Sequence, residues 1–212
     1  MLRAARVAPA KVAAHLERWA NKNMKILSLL LTALAIASSL FASDKPTPPA
    51  GFRWVEYAEA NFEIQFPSGW NTDKQKQGIT QAIRISPESF DAKGFNTGFT
   101  MNYVSCSGHA EWAAAMIKVG DMMKSIRDAI ATPTESRIKK SDDMLFMIVE
   151  GDRLIPDSPH PDQLYHTRSI VRAFPKEKVI YFYSFGSLAT EWEEAWKVGK
   201  VMLNPIVFNL KE

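Results

Sequence analysis

At 212 residues, with 46% hydrophobic and 23% charged side chains, the chain can bury a core without metal or disulfide, which excludes a disordered segment and a cysteine-stapled mini-domain. Its formal charge of +3 resides in the first 42 residues, where Arg3, Arg6, Lys11, Arg18, Lys22 and Lys25 outnumber the single acid Glu17; of the 26 basic and 23 acidic residues in all, 20 and 22 remain for the body, a net of −2. A body with that balance lacks the cationic surface that phosphate recognition requires, so nucleic acid is excluded as a partner.

Residues 1–42 read as a leader. From Met24 a basic residue, the apolar run Ile26–Phe41 and a small-residue end follow in the order of a secretory signal, with cleavage fitting after Ala37 or after Ala42. Residues 1–23 stand upstream of that complete signal and read as a translation start placed too early. Left uncleaved, the apolar run would be an anchor, but it is about four residues short of a comfortable span, and its small-residue end favours removal. No stable span then remains. The product is expected in the periplasm or outside the cell, with a thylakoid lumen as the alternative address. Residues 43–51 are too rich in proline to pair in a sheet or form a helix and read as a linker, leaving 52–212 as a single domain.

Within that domain Trp54–Glu59 and Phe62–Phe66 read as strands, the second alternating Phe62, Ile64 and Phe66 with Glu63 and Gln65. After the Pro67-Ser68-Gly69 turn, Ile79, Ile83 and Ile85 share the buried side of a third strand, opposite Thr80, Ala82 and Arg84. A loop containing Gly94 leads to a fourth strand, Gly98–Cys106. Trp112, Met116, Val119, Met123, Ile126 and Ile130 recur at spacings of four and three, which predicts a helix over His109–Ala131 with one apolar stripe. Ser136–Lys140 and Met144–Leu154 form a hairpin across Asp142-Asp143, and a polar loop occupies Ile155–Gln163. Tyr165–Phe174 then pairs with Val179–Ser187, which is apolar on both faces and therefore central. Glu191–Leu203 is a terminal helix ended by Pro205, with Gly199 allowing close approach to the sheet. The sum is α+β, an antiparallel sheet with helices packed on it.

Two signatures resemble the PsbP and Mog-like family, which includes DcrB-type bacterial proteins. One is Asn61-Phe62-Glu63-Ile64-Gln65-Phe66-Pro67-Ser68-Gly69-Trp70, similar to the family's opening strand ending in Pro-x-x-Trp. The other is the closing order of two long strands, an aromatic stretch and a helix bearing Trp192 and Trp196. The resemblance spans roughly Trp54 to Phe208 and implies an α-β-α sandwich whose members bind or assemble without catalytic residues. Photosynthetic members assist photosystem II, while many bacterial members are exported. The chain departs from the pattern at Asn204-Pro205-Ile206-Val207-Phe208, where a more regular Ile-x-x-Ser-Phe ending would stand.

Chemistry is sparse. Cys106-Ser107-Gly108-His109 sets a thiol at a helix start, where the helix N-terminus would lower its pKa, but a working Cys-His pair needs contact and an orienting third group, and residues this close rarely provide them. Asp157, His160 and Asp162 lie in an exposed loop as weak metal candidates, short of the ligand set a zinc site uses. His166 is expected as a cross-strand polar partner. No nucleophile elbow, metal-binding helix or phosphate loop is present. The reading is therefore an exported protein without enzymatic activity or cofactor, contacting another envelope protein. The alternatives are a small-ligand or lipid binder in the space between sheet and helices, and a hydrolase without a recognisable motif.

Overall fold

The computed structural model describes residues 45–90 and 96–210. The chain divides into two units, Met1–Thr47 and Pro48–Glu212, and every element below belongs to the second. The leader with its cleavage positions, and Gly94, lie outside the described residues. The described part of the proline-rich stretch has no regular structure up to a turn at Ala50–Gly51.

Seven strands form one antiparallel sheet: β3 (Asn71–Gln77), β4 (Thr80–Ser86), β5 (Gly98–Ser105), β6 (Glu135–Lys140), β7 (Leu145–Leu154), β8 (Leu164–Phe174) and β9 (Val179–Leu188), in the order β3-β4-β5-β9-β8-β7-β6. A second sheet joins β1 (Phe52–Tyr57), β2 (Phe62–Pro67) and the two-residue β10 (Val207–Phe208), with β2 in the middle. The helices are α1 (His109–Asp128) and α2 (Trp192–Leu203).

Alternation along the strands assigns each side chain to a face. Met147 and Val149 on β7, Val171 and Ala173 on β8 and Ile180 on β9 pack against Val119, Met123 and Ile126 of α1. Their neighbours Ile148, Ile170, Tyr181, Tyr183 and Phe185 point the other way, into a cluster with Trp192, Met202 and Leu203 of α2 and with Phe62 and Ile64 of the small sheet. The result is a three-layer sandwich, the expected α+β architecture, with α1 on one face and α2 beside the small sheet on the other.

The two covers are offset. α1 lies over β7, β8 and the near part of β9, whereas α2 and the small sheet lie over β9, β5 and β4. Each face therefore has one covered half and one open half.

Specific contacts hold the aromatic side together. Asn61 takes a left-handed conformation (φ 50°), which Asn tolerates better than most residues. Its side-chain amide donates to Tyr103 Oη at 2.9 Å, and its carbonyl accepts from Tyr181 Oη at 3.0 Å and from the Asn209 N–H at 2.8 Å, which ties the small sheet to the large one. A Cβ at Gly199 would stand 2.6 Å from the Phe185 ring, so this glycine sets how closely α2 approaches the sheet.

Several expectations need correction. β3 was not foreseen; Asn71–Gln77 carries no apolar residue, and its ladder is paid for by edge position, since one neighbour suffices and both faces stay wet. Ile79 is not on the buried side of β4 but sits in the preceding turn, 45% exposed, while Ile83 and Ile85 are buried as expected. α1 stops at Asp128, before Thr132-Pro133, and Ile130 is buried in the turn beyond it. β9 is central, but only one of its faces is fully covered: Tyr181, Tyr183 and Phe185 are buried, whereas Phe182, Ser184 and Gly186 on the α1 side are partly open.

Candidate functional site

The open half of the α1 face begins as a groove. Beside the helix, Val104 of β5 and Ile180 and Phe182 of β9 form an apolar floor, and Val119 and Met122 of α1 form one wall. Ile79 closes the opposite side, and Glu111 and Lys118 place one charge of each sign on the helix rim. The groove encloses about 460 Å³. Mixed apolar walls with few charges suit a hydrophobic side chain or segment better than a polar substrate. Farther out the same face becomes a shelf of small polar groups, with Thr100 Oγ1 and Ser184 Oγ 2.9 Å apart and Arg84 paired to Asp73.

The open half of the opposite face is charged and paired within itself. Asp152 and His166 stand opposite each other on β7 and β8, as do Glu150 and Arg168. His166 Nδ1 lies 2.6 Å from Asp152 Oδ1 and its Nε2 lies 3.3 Å from Glu150 Oε1, which makes it the cross-strand partner expected. Arg168 pairs with Glu150 and, at 2.9 Å, with Glu135 of β6. Trp192 packs on the imidazole at 4.1 Å between ring centres, and Trp196 receives the Arg168 guanidinium at 5.6 Å. Burial pulls the His166 pKa down, but its hydrogen bonds to the Glu150 and Asp152 carboxylates outweigh it and the net shift is upward. Burial likewise pushes Glu150 up, and its bonds to His166 and Arg168 bring it below the usual carboxylate range. Glu150 is thereby held as an anion, and the Ser187 hydroxyl, opposite His166 on β9, donates to the Leu188 carbonyl at 3.1 Å. Sequence reasoning named only His166 of this set. The signal available for the rest was the Glu-x-Asp spacing at 150–152 against His-x-Arg at 166–168, two strands whose polar residues share one face.

Cys106 and His109 do not come together. Cys106 is buried and His109 exposed, with no hydrogen bond between them among the described residues. The thiol is shifted upward, first by burial and then by Glu111, the reverse of the lowering expected at a helix start. Glu111 itself folds back to accept the Ser107 N–H at 2.7 Å and the Ser107 hydroxyl at 2.9 Å, which ties the residue before the N-cap Gly108 to the first helical turn. Asp157, His160 and Asp162 all lie in the loop between β7 and β8, and Asp157 borders a hollow that also holds Arg153, whose positive charge disfavours a cation there. Among the described residues no three His, Cys, Asp or Glu side chains are placed to hold a metal ion.

No helix among the described residues is long and apolar enough to cross a membrane. No family model and no curated protein matches the sequence. Solved structures do match. The chain is similar in fold to PsbP and Mog-like proteins. Cyanobacterial PsbP (CyanoP) from Synechocystis aligns over 79% of this chain and 98% of its own at 12% identity and a TM-score of 0.48. The Ran-binding protein Mog1p of Saccharomyces cerevisiae aligns over 74% of this chain and 95% of its own at 10% identity and a TM-score of 0.42.

Proposed function

We propose that this protein is an exported, non-enzymatic binding factor of the DcrB-like type, and that the groove between α1 and the sheet receives an apolar segment of another envelope protein. The contrast between the two open halves of the sheet carries the reading. The charged half is neutralised by its own ion pairs, whereas the other leaves Ile79, Phe182 and Met122 wholly or partly accessible beside a groove of about 460 Å³. Apolar surface gathered next to a concavity is the usual mark of an interaction site.

A photo-reactive residue placed at Ile79 or Met122 in living cells tests this. One discrete protein adduct is expected from each position, lost on Phe182→Glu, while the same probe at Ile138, 70% exposed on β6, gives none. A groove that yields no protein adduct, in material that carries a bound small molecule by native mass spectrometry, would transfer the reading to a ligand binder. Export is tested on the same material: its N-terminus should follow Ala37 or Ala42, and a full-length chain soluble in the cytosol would overturn that part.

A further inference from the structure

Beyond the C-terminal end of α1 the same sheet face holds a second hollow, independent of the groove. We propose that it is a binding site for a small oxyanion, a carboxylate or phosphate group held by Arg153 and Ser158. The hollow encloses about 260 Å³. Its floor is built from Thr100 of β5, Ser184 and Gly186 of β9 and Thr167 of β8, and the β7–β8 loop folds over it with Ser158. Arg153 projects from β7 into this space, half-buried.

Three features give the hollow its preference. First, Arg153 makes no ion pair among the described residues; its single bond is from Nε to Thr167 Oγ1 at 3.2 Å, which leaves both terminal nitrogens free to donate. A charge removed from water is normally paired, and burial alone lowers this guanidinium's pKa, with no carboxylate offsetting it. Second, Ser158 Oγ is buried with no hydrogen-bond partner, and a hydroxyl in that state is an orphan donor that calls for an acceptor. Third, the remaining polar groups have protons to offer. Tyr165 Oη donates to Asn96 Oδ1 at 3.1 Å, leaving the Asn96 amide nitrogen available, and one of the two hydroxyls paired at Thr100 and Ser184 has its own proton to give. The one acid on the lining, Asp157, is exposed at the rim. A guanidinium fork sharing one hollow with hydroxyl and amide donors suits an oxyanion.

The test titrates the full chain with inorganic phosphate, sulfate, acetate and succinate at constant ionic strength, following backbone amide shifts at Gly98, Ser158 and Gly186. Saturable binding by at least one anion is expected, tighter than about 1 mM. Arg153→Gln should weaken it at least about tenfold and Ser158→Ala about threefold, while Arg153→Lys retains part of it, because losing a bond to a charged group costs on that order. Lys118→Gln on α1 should change nothing. Preference for phosphate or sulfate identifies a tetrahedral ligand, and preference for succinate or acetate a carboxylate; either upholds the site. Absence of saturation with all four anions, or an affinity unchanged from the native chain in both the Ser158→Ala and Arg153→Lys proteins, overturns it, and these two variants decide the matter should Arg153→Gln fail to fold.

Discussion

The two faces of the large sheet are made by the same strands and finished in different ways. On the α2 face aromatic rings fill the covered half: Tyr181, Tyr183 and Phe185 lie beneath α2 and the small sheet, with Trp192 and Trp196 stacked at 5.0 Å. Its open half is closed electrically by Glu135, Glu150, His166 and Arg168. On the α1 face the cover is a helix whose Val119, Met123 and Ile126 are buried, and the open half is left as a groove and a polar shelf with few internal partners. The difference separates the surface that makes the fold from the surface available for use.

The largest effect should come from truncating one phenylalanine on each side of β9. Phe185→Ala empties a fully buried site and should cost about 3–5 kcal/mol, whereas Phe182→Ala, at the floor of the groove, should cost about 1–2 kcal/mol. Urea unfolding followed by tryptophan fluorescence measures both, and equal losses would erase the distinction between the faces.

The helices offer a second comparison with opposite signs. At Gly199 a new Cβ meets the Phe185 ring at 2.6 Å and Trp196 at 2.8 Å, while at Gly120 of α1 it meets nothing within 4 Å. Gly199→Ala should therefore lose about 2 kcal/mol, overpacking exceeding the gain in helix propensity, and Gly120→Ala should gain up to about 1 kcal/mol. Thermal unfolding of the two proteins gives the signs directly.

The smallest effect is that of pH on the ion-paired half. His166 binds its proton more tightly folded than unfolded, so its contribution is complete below the unfolded value near 6.5 and fades as pH rises through the higher folded one. Glu150 acts in the opposite sense: its lowered pKa contributes stability above the ordinary carboxylate range that is lost on acidification. Going from about pH 5.5 to about pH 8.5 should therefore weaken the native chain more than a His166→Gln chain. The groove, whose floor and inner wall carry no charge, should bind its partner equally well across that interval.

Much of the fold was legible because period and burial coincide. β2 and the α1 stripe announce themselves through apolar residues spaced for one face, the β6–β7 hairpin through its Asp142-Asp143 turn, and the β8–β9 pair through a β9 run apolar on both faces. β3 left no such mark, because Asn-Thr-Asp-Lys-Gln-Lys-Gln is ordered by pairing along β4 and not by burying anything. The small sheet was hidden for a different reason: β10 is two residues long and its partner lies some 145 positions earlier, a closure no local pattern encodes. Of the sites, His166 was readable from its place in a strand, while Arg153 and Ser158 become neighbours only when the loop after β7 folds back over the sheet.

One consequence concerns the order in which the molecule can finish. Because β1 and β10 flank the same strand, the opening and closing stretches of the domain are joined through β2, with Phe208 resting 4.3 Å from the Tyr181 ring. A polypeptide made amino end first has no means of sealing this aromatic core until Val207 and Phe208 arrive.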